Sequence, residues 1–174
     1  MFKNDPAVAG IPPRFHAATH TLAGKLSTQV LEGGSLYLWG SNGTGKTTLA
    51  AAIARQLIDR KPLMVGAVQL LIDLQSTYGT PDREADILEK YSSAPLLVID
   101  DLGKEQQTEW TASRLYAIVD ARYGRLLPTI VTSNFRVDEL LGRVRDQSTA
   151  SAIVSRLAGM SKQIHLGGQD RRLQ

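Results

Sequence analysis

The 174-residue chain has no cysteine, which rules out a disulfide framework and any thiolate zinc site. The same absence favours a reducing compartment, and the expected location is cytoplasmic. Histidine is scarce as well. His16, His20 and His165 lie far apart and share no metal-ligand spacing. No run is long and apolar enough to cross a bilayer, so no membrane partner is expected, and Met1-Phe2-Lys3-Asn4-Asp5-Pro6 does not read as a signal peptide. Internal repeats and low-complexity tracts are missing too. A chain of this length can bury a substantial core and is expected to form one domain.

The net charge of +3 is small but unevenly placed. Residues 82–109 carry eight acids against three bases, and residues 143–174 carry six bases against two acids. The basic end reads equally as a surface for nucleic acid or an acidic partner and as a solvated face.

One segment names its ligand. Residues 40–48 read Gly40-Ser41-Asn42-Gly43-Thr44-Gly45-Lys46-Thr47-Thr48, a full G-x-x-x-x-G-K-T phosphate-binding loop. Such a loop curls its backbone N–H groups around nucleotide phosphates. Lys46 reaches the outer phosphates and the Thr47 hydroxyl binds Mg²⁺. The apolar run Leu36-Tyr37-Leu38-Trp39 before it suits a buried strand. Leu49, Ala50, Ile53, Ala54, Leu57 and Ile58 recur after it at helical spacing, so a helix N-terminus faces the phosphates. ATP or ADP with Mg²⁺ is the expected cofactor set.

The rest of the chain alternates in the same way. Strands are expected at 36–39, 63–65, 94–99, 129–132 and 162–166. Helices are expected over 46–59, 68–78, 84–92, from Thr108 to Gly124, and over 137–143 and 149–158, while residues 1–34 are loop-like with some helix. Thr108 suits a helix cap. Alternating strands and helices imply a parallel sheet covered on both faces.

Three further sites carry chemistry. Leu96-Leu97-Val98-Ile99-Asp100-Asp101 is an apolar strand ending in two carboxylates, the Walker B pattern. Asp100 is placed to hold Mg²⁺, and Asp101 to polarise the attacking water as a general base. Thr132-Ser133-Asn134 ends the fourth strand, where Asn134 can contact the γ-phosphate or the attacking water, the alternative being a simple turn. Ser155-Arg156-Leu157 closes a short amphipathic helix. On spacing alone Arg156 reads as an ordinary surface arginine more readily than as a finger completing a neighbour's site. Trp39 and Met64 suit the core, and Tyr116 and Tyr123 need no function.

Together these motifs resemble the AAA+ ATPases, and more narrowly the DnaC/DnaI helicase-loader and IstB group. The resemblance rests on Gly10-Ile11-Pro12-Pro13-Arg14-Phe15, the phosphate loop, Val98-Ile99-Asp100-Asp101-Leu102-Gly103, Thr108-Glu109-Trp110, Arg122-Tyr123, the stretch from Pro128 to Asn134, and Ser155-Arg156-Leu157. It implies a three-layer P-loop NTPase fold. The five-stranded parallel sheet would place the 129–132 strand between the loop strand and the Asp100 strand, with no C-terminal lid. It implies residues 1–34 as an N-terminal linker on the adenine side, residues 35–174 as the ATPase core, and Ile11 and Phe15 as base contacts. It also raises Arg156 to a trans-acting finger through which the chain self-assembles. The implied partners are single-stranded DNA and a replicative DNA helicase or, in an IstB-like helper, a transposase. Only about 34 residues precede the first strand, so the resemblance implies either an excised ATPase domain or a short relative. Arg171 and Arg172 have no counterpart in it.

Two other classes compete. A small-molecule kinase would need a substrate-binding insert and an arginine-rich lid, and neither is visible. A nucleotide-gated interaction module with little hydrolysis stays open because Asp101 stands where a glutamate is common in AAA+ proteins. The loop assignment is checked by Lys46→Ala, expected to abolish tight ATP binding in a fluorescence titration of the purified variant.

Overall fold

Strands that read as apolar runs and are joined through helices call for a parallel sheet buried on both faces, because parallel neighbours require long crossover connections. The computed structural model describes residues 9–77, 79–104, 108–143 and 146–168 and has this architecture. Its strands are β1 (Ser35–Trp39), β2 (Pro62–Gly66), β3 (Leu96–Leu102), β4 (Thr129–Ser133) and β5 (Ser161–His165). They form one five-stranded parallel sheet in the order β2-β3-β4-β1-β5. β4 therefore lies between β1 and β3, as the resemblance implies.

The side-chain period of two divides each strand between two cores. Leu36, Leu38, Leu96, Val98 and Ile130 face one core, which they share with α1 (Ala23–Leu31) and α2 (Lys46–Gln56). Tyr37, Leu97, Ile99 and Val131 face the other, filled by α3 (Ala67–Gln75), α5 (Glu109–Gly124) and α6 (Gln147–Met160). The remaining helix, α4 (Pro81–Ser93), packs on α5. In α2 the small residues Ala50, Ala51, Ala52 and Ala54 are all buried, so the helix lies close against the sheet.

Several boundaries differ from the sequence reading, and three of the differences have a clear local reason. β3 runs past Ile99 through both carboxylates to Leu102, because a register shift between Ile99 and Leu102 lets Leu102 pair with Ser133. Such irregularities re-aim side chains beside active sites. The helix expected over 46–59 stops at Gln56 and becomes a 3₁₀ turn, Ile58–Arg60, so that Lys61 (φ 50°) can turn the chain into Pro62 of β2. The segment expected as a helix at 137–143 is a 3₁₀ helix, Asp138–Arg143. Thr108 caps α5 as expected, with Thr111 as its reciprocal partner: the Thr111 N–H donates to Thr108 Oγ1 (3.2 Å) and the Thr108 N–H to Thr111 Oγ1 (2.8 Å).

Arg122 is fully buried in α5, where a hydroxyl and backbone carbonyls accept its hydrogen bonds. Its Nε donates to Thr129 Oγ1 (2.8 Å), Nη1 to the carbonyls of Tyr91 (2.9 Å) and Ala94 (2.8 Å), and Nη2 to that of Pro128 (2.6 Å). One guanidinium fork thus joins the end of α4 to the entrances of β3 and β4. Burial lowers its pKa to about 10, which leaves it charged at neutral pH. Arg122→Ala would strand these carbonyls and open a cavity. A loss of about 3 kcal/mol or more is expected in urea denaturation, with Arg122→Lys recovering little because an ammonium cannot reproduce the fork.

Candidate functional site

Open α/β sheets bind ligands beyond the carboxyl ends of their strands, where neighbouring connections diverge. Here β1 runs directly into the glycine-rich loop. Gly40 has φ 149°, and a Cβ there would lie 2.2 Å from the Leu166 carbonyl oxygen, so no other residue fits. The Gly40 N–H donates to the Ser133 carbonyl (3.3 Å), and the Leu166 N–H to that of Trp39 (2.8 Å). The loop is thereby held between β4 and the chain leaving β5. Within it, Thr44 Oγ1 donates to the Ser41 carbonyl (3.0 Å), and Lys46 Nζ donates to the carbonyls of Gly40 (2.8 Å) and Ser41 (2.7 Å). Lys46 is only 7% exposed. Gly45, in the left-handed region (φ 94°), forms the N-cap of α2.

These elements enclose a cavity of about 330 Å³. Asn42, Gly43, Gly45, Lys46, Thr47 and Thr48 line it from the loop and α2, Asp100 and Asp101 from β3, and Asn134 from the end of β4. Phe15 lines it from the 3₁₀ turn Pro13–Phe15. Gly40, Ser41 and Thr44 are not among the lining residues and instead shape the loop through their backbone and hydrogen bonds. Ile11 is placed elsewhere, in the core under α1 and α2. Its segment covers the free edge of β2, where the Met64 N–H donates to the Ala9 carbonyl (2.7 Å). The sequence reading assigned no task to Arg14, Lys104 or Thr132, although Arg14 and Thr132 lie within motifs it quoted. Arg14 and Lys104 line the cavity.

Thr132 organises the carboxylates. Its hydroxyl donates to Asp100 Oδ1 (2.6 Å) and accepts from the Asp101 N–H (2.8 Å). Thr47 Oγ1 donates to the same Asp100 oxygen (2.9 Å). Burial pushes the Asp100 carboxyl above its ordinary range. The hydroxyls of Thr132 and Thr47 oppose that shift, Asp101 adds to it, and the positive charge of Arg14 opposes it. A hydroxyl and a carboxylate side by side are hard oxygen donors of the kind Mg²⁺ takes from a protein, leaving its other positions for phosphate and water. Among the described residues no cluster of three or more His, Cys, Asp or Glu could hold a metal alone.

Asp101 has left-handed backbone (φ 65°), and its Oδ2 lies 2.6 Å from Lys104 Nζ. The Asn134 amide Nδ2 donates to Asn42 Oδ1 (3.0 Å), and Asn134 Oδ1 is buried with no hydrogen-bond partner among the described residues. Arg156 does not line its own chain's cavity. It stands on α6 with Nε donating to Asp120 Oδ1 (2.8 Å), and its guanidinium lies 5.9 Å and 5.7 Å from the ring centres of Tyr116 and Tyr123. Arg171 and Arg172 lie outside the described residues.

The parallel sheet, the loop at the mouth of β1 and the carboxylates at the end of β3 define a P-loop nucleotide-binding protein of the α/β class. The sequence profile of the IstB-like ATP binding proteins matches residues 21–174. The chain belongs to that family, and its core is an ATP-binding domain of the DnaC-like kind. It is 28% identical over 151 residues to the replicative helicase loader DnaI of Bacillus subtilis, a match covering 81% of this chain and 48% of that protein. It is 31% identical over 140 residues to an insertion-sequence ATP-binding protein of Sinorhizobium fredii, covering 79% of this chain and 56% of that protein. The crystal structure of DnaI superposes with a TM-score of 0.75 at 26% identity, covering 90% of this chain and 94% of that one. The chain spans about half the length of the curated relatives it matches.

The buried carboxylate gives a pH-dependent expectation. A carboxyl with a raised folded-state pKa costs nothing below its unfolded pKa and destabilises progressively as pH rises through the folded value. Asp100→Asn removes that cost. Nucleotide-free protein is expected to gain stability at pH 7 and none at low pH in urea melts, while Mg²⁺-dependent nucleotide binding weakens by about tenfold or more.

Proposed function

We propose that this chain is the ATP-hydrolysing core of a DnaC-like DNA replication protein that binds single-stranded DNA and helps load a replicative helicase. The supporting observation is the convergence of Lys46, Thr47, Asp100, Asp101 and Asn134 on one cavity wall. In this reading residues 35–174 are the ATPase core, and residues 1–34 supply the adenine side through Phe15.

Each side chain then has a defined task. The loop N–H groups and the N-terminus of α2 seat the phosphates. Lys46, whose ammonium rests on its own loop carbonyls, turns to the outer phosphates. Thr47 and Asp100 would hold Mg²⁺, which would supply positive charge against the charge developing on the phosphates. Asp101 polarises the attacking water. The unpartnered Asn134 Oδ1 accepts a hydrogen bond from that water and so orients it. Arg156, outside its own cavity, stabilises charge on the γ-phosphate of an adjacent copy.

A transposition helper with the same core is the second reading, favoured by the Sinorhizobium relative. Capture of a replicative helicase by the purified protein supports the first reading, and capture of a transposase instead supports the second. ATP turnover with and without single-stranded DNA tests the chemistry. Asp101→Asn is expected to keep ATP binding and lose about 10²-fold in turnover. Arg156→Ala is expected to lose DNA-stimulated turnover by a similar or larger factor, and mixing it with Lys46→Ala should restore part of the activity, because each variant supplies what the other lacks. Negligible wild-type turnover under all conditions would leave a nucleotide-gated interaction module.

A further inference from the structure

Lys104 follows the carboxylate pair, and neither the phosphate-loop motif nor the aspartate pattern gives it a task. It lines the nucleotide cavity, and its ammonium is 2.6 Å from Asp101 Oδ2. The backbone makes this placement a built feature. Asp101 (φ 65°) and Gly103 (φ 94°) both take left-handed conformations, which turn the chain back on itself after β3. A Cβ at position 103 would approach Phe135 Cδ2 to 3.0 Å and Leu140 Cδ2 to 3.2 Å. Behind the turn, Arg143 Nη1 donates to the Gly103 carbonyl (3.3 Å), and its guanidinium lies 3.4 Å from the centre of the Phe135 ring. The backbone before Lys104 is thus braced from the side away from the cavity. The Lys104 side chain itself is 45% exposed and carries a flexible stem.

The geometry points to Lys104 as a second phosphate-reading cation, one that bonds Asp101 until a terminal phosphate enters the cavity and then transfers to that phosphate. The inference rests on the reading above, in which the cavity takes ATP and Asp101 activates water. A γ-phosphate offers three strong acceptor oxygens and more negative charge than one half-exposed carboxylate, so it draws the ammonium away. Released from its ion pair, Asp101 Oδ2 is free to accept a hydrogen bond from the attacking water. With ADP no terminal phosphate competes, Lys104 stays on Asp101, and the base remains engaged. The exchange is one of ion pairs, with no bond made or broken. It gives the site a means of telling ATP from ADP that Lys46 alone does not supply.

The test uses fluorescent ATP and ADP analogues titrated onto the full chain as wild type, Lys104→Ala and Lys104→Arg. Loss of the ammonium is expected to reduce the ATP-over-ADP preference about tenfold, the size of one charge-assisted hydrogen bond, with Lys104→Arg keeping most of it. A purely structural role would weaken both nucleotides together, so an unchanged ratio in Lys104→Ala overturns the inference, as does an arginine variant no better than alanine. Wild-type protein that binds neither nucleotide overturns the proposed function and this inference with it. Wild-type protein that binds both, with an unaltered ratio in the variants, overturns this inference alone.

Discussion

A single carboxylate oxygen joins three parts of the chain that are remote in sequence. Asp100 Oδ1, at the end of β3, accepts from Thr47 at the start of α2 and from Thr132 on β4. The bonds are possible only because β4 is inserted beside both β1 and β3, which brings the three carboxyl ends to one rim. The arrangement keeps a carboxylate ionisable in a largely dehydrated place. The two hydroxyls favour the charged form against the burial that opposes it, and the charged form is the better ligand for a divalent ion. The strand order and the electrostatics of the site are therefore one constraint seen at two scales.

Much of this was legible in the sequence because its signals are local. The phosphate loop is contiguous, its flanking strand and helix follow it in order, and the apolar run before Asp100 and Asp101 marks a buried strand. The less legible features depend on contacts between distant segments. Thr132 looks like any strand threonine until β4 lies beside β3. Arg122 reads as one charge on a helix until its carbonyl partners are known, and Lys104 is one residue in a polar turn. Ile11 shows the reverse case. The family resemblance implies Ile11 as a base contact, yet its segment is used to cover the open edge of β2, and Ile11 goes into the core with it. The apolar run marked β3 correctly and missed its end, because the register shift after Ile99 has no local signal.

Arg156 illustrates how a surface side chain can be prepared without being fixed. Asp120 orients its guanidinium by one charged hydrogen bond, and the rings of Tyr116 and Tyr123 limit its excursions at modest energetic cost. The ion pair is half exposed and screened by solvent, so it can be exchanged for a stronger anion. Lys46 is held in a comparable way, by bonds to its own loop carbonyls that phosphate oxygens would replace in the proposed role.

The contact between Gly40 and Leu166 makes the phosphate loop a non-local object. Every residue of the motif lies in a short contiguous run, but the wall that dictates its backbone is built by the last strand of the sheet. A chain cut before β5 would retain each letter of the motif and lose the surface against which Gly40 is shaped. The loop is made early in synthesis, yet the carbonyl that excludes every residue but glycine at position 40 comes from the chain leaving β5, more than a hundred residues later.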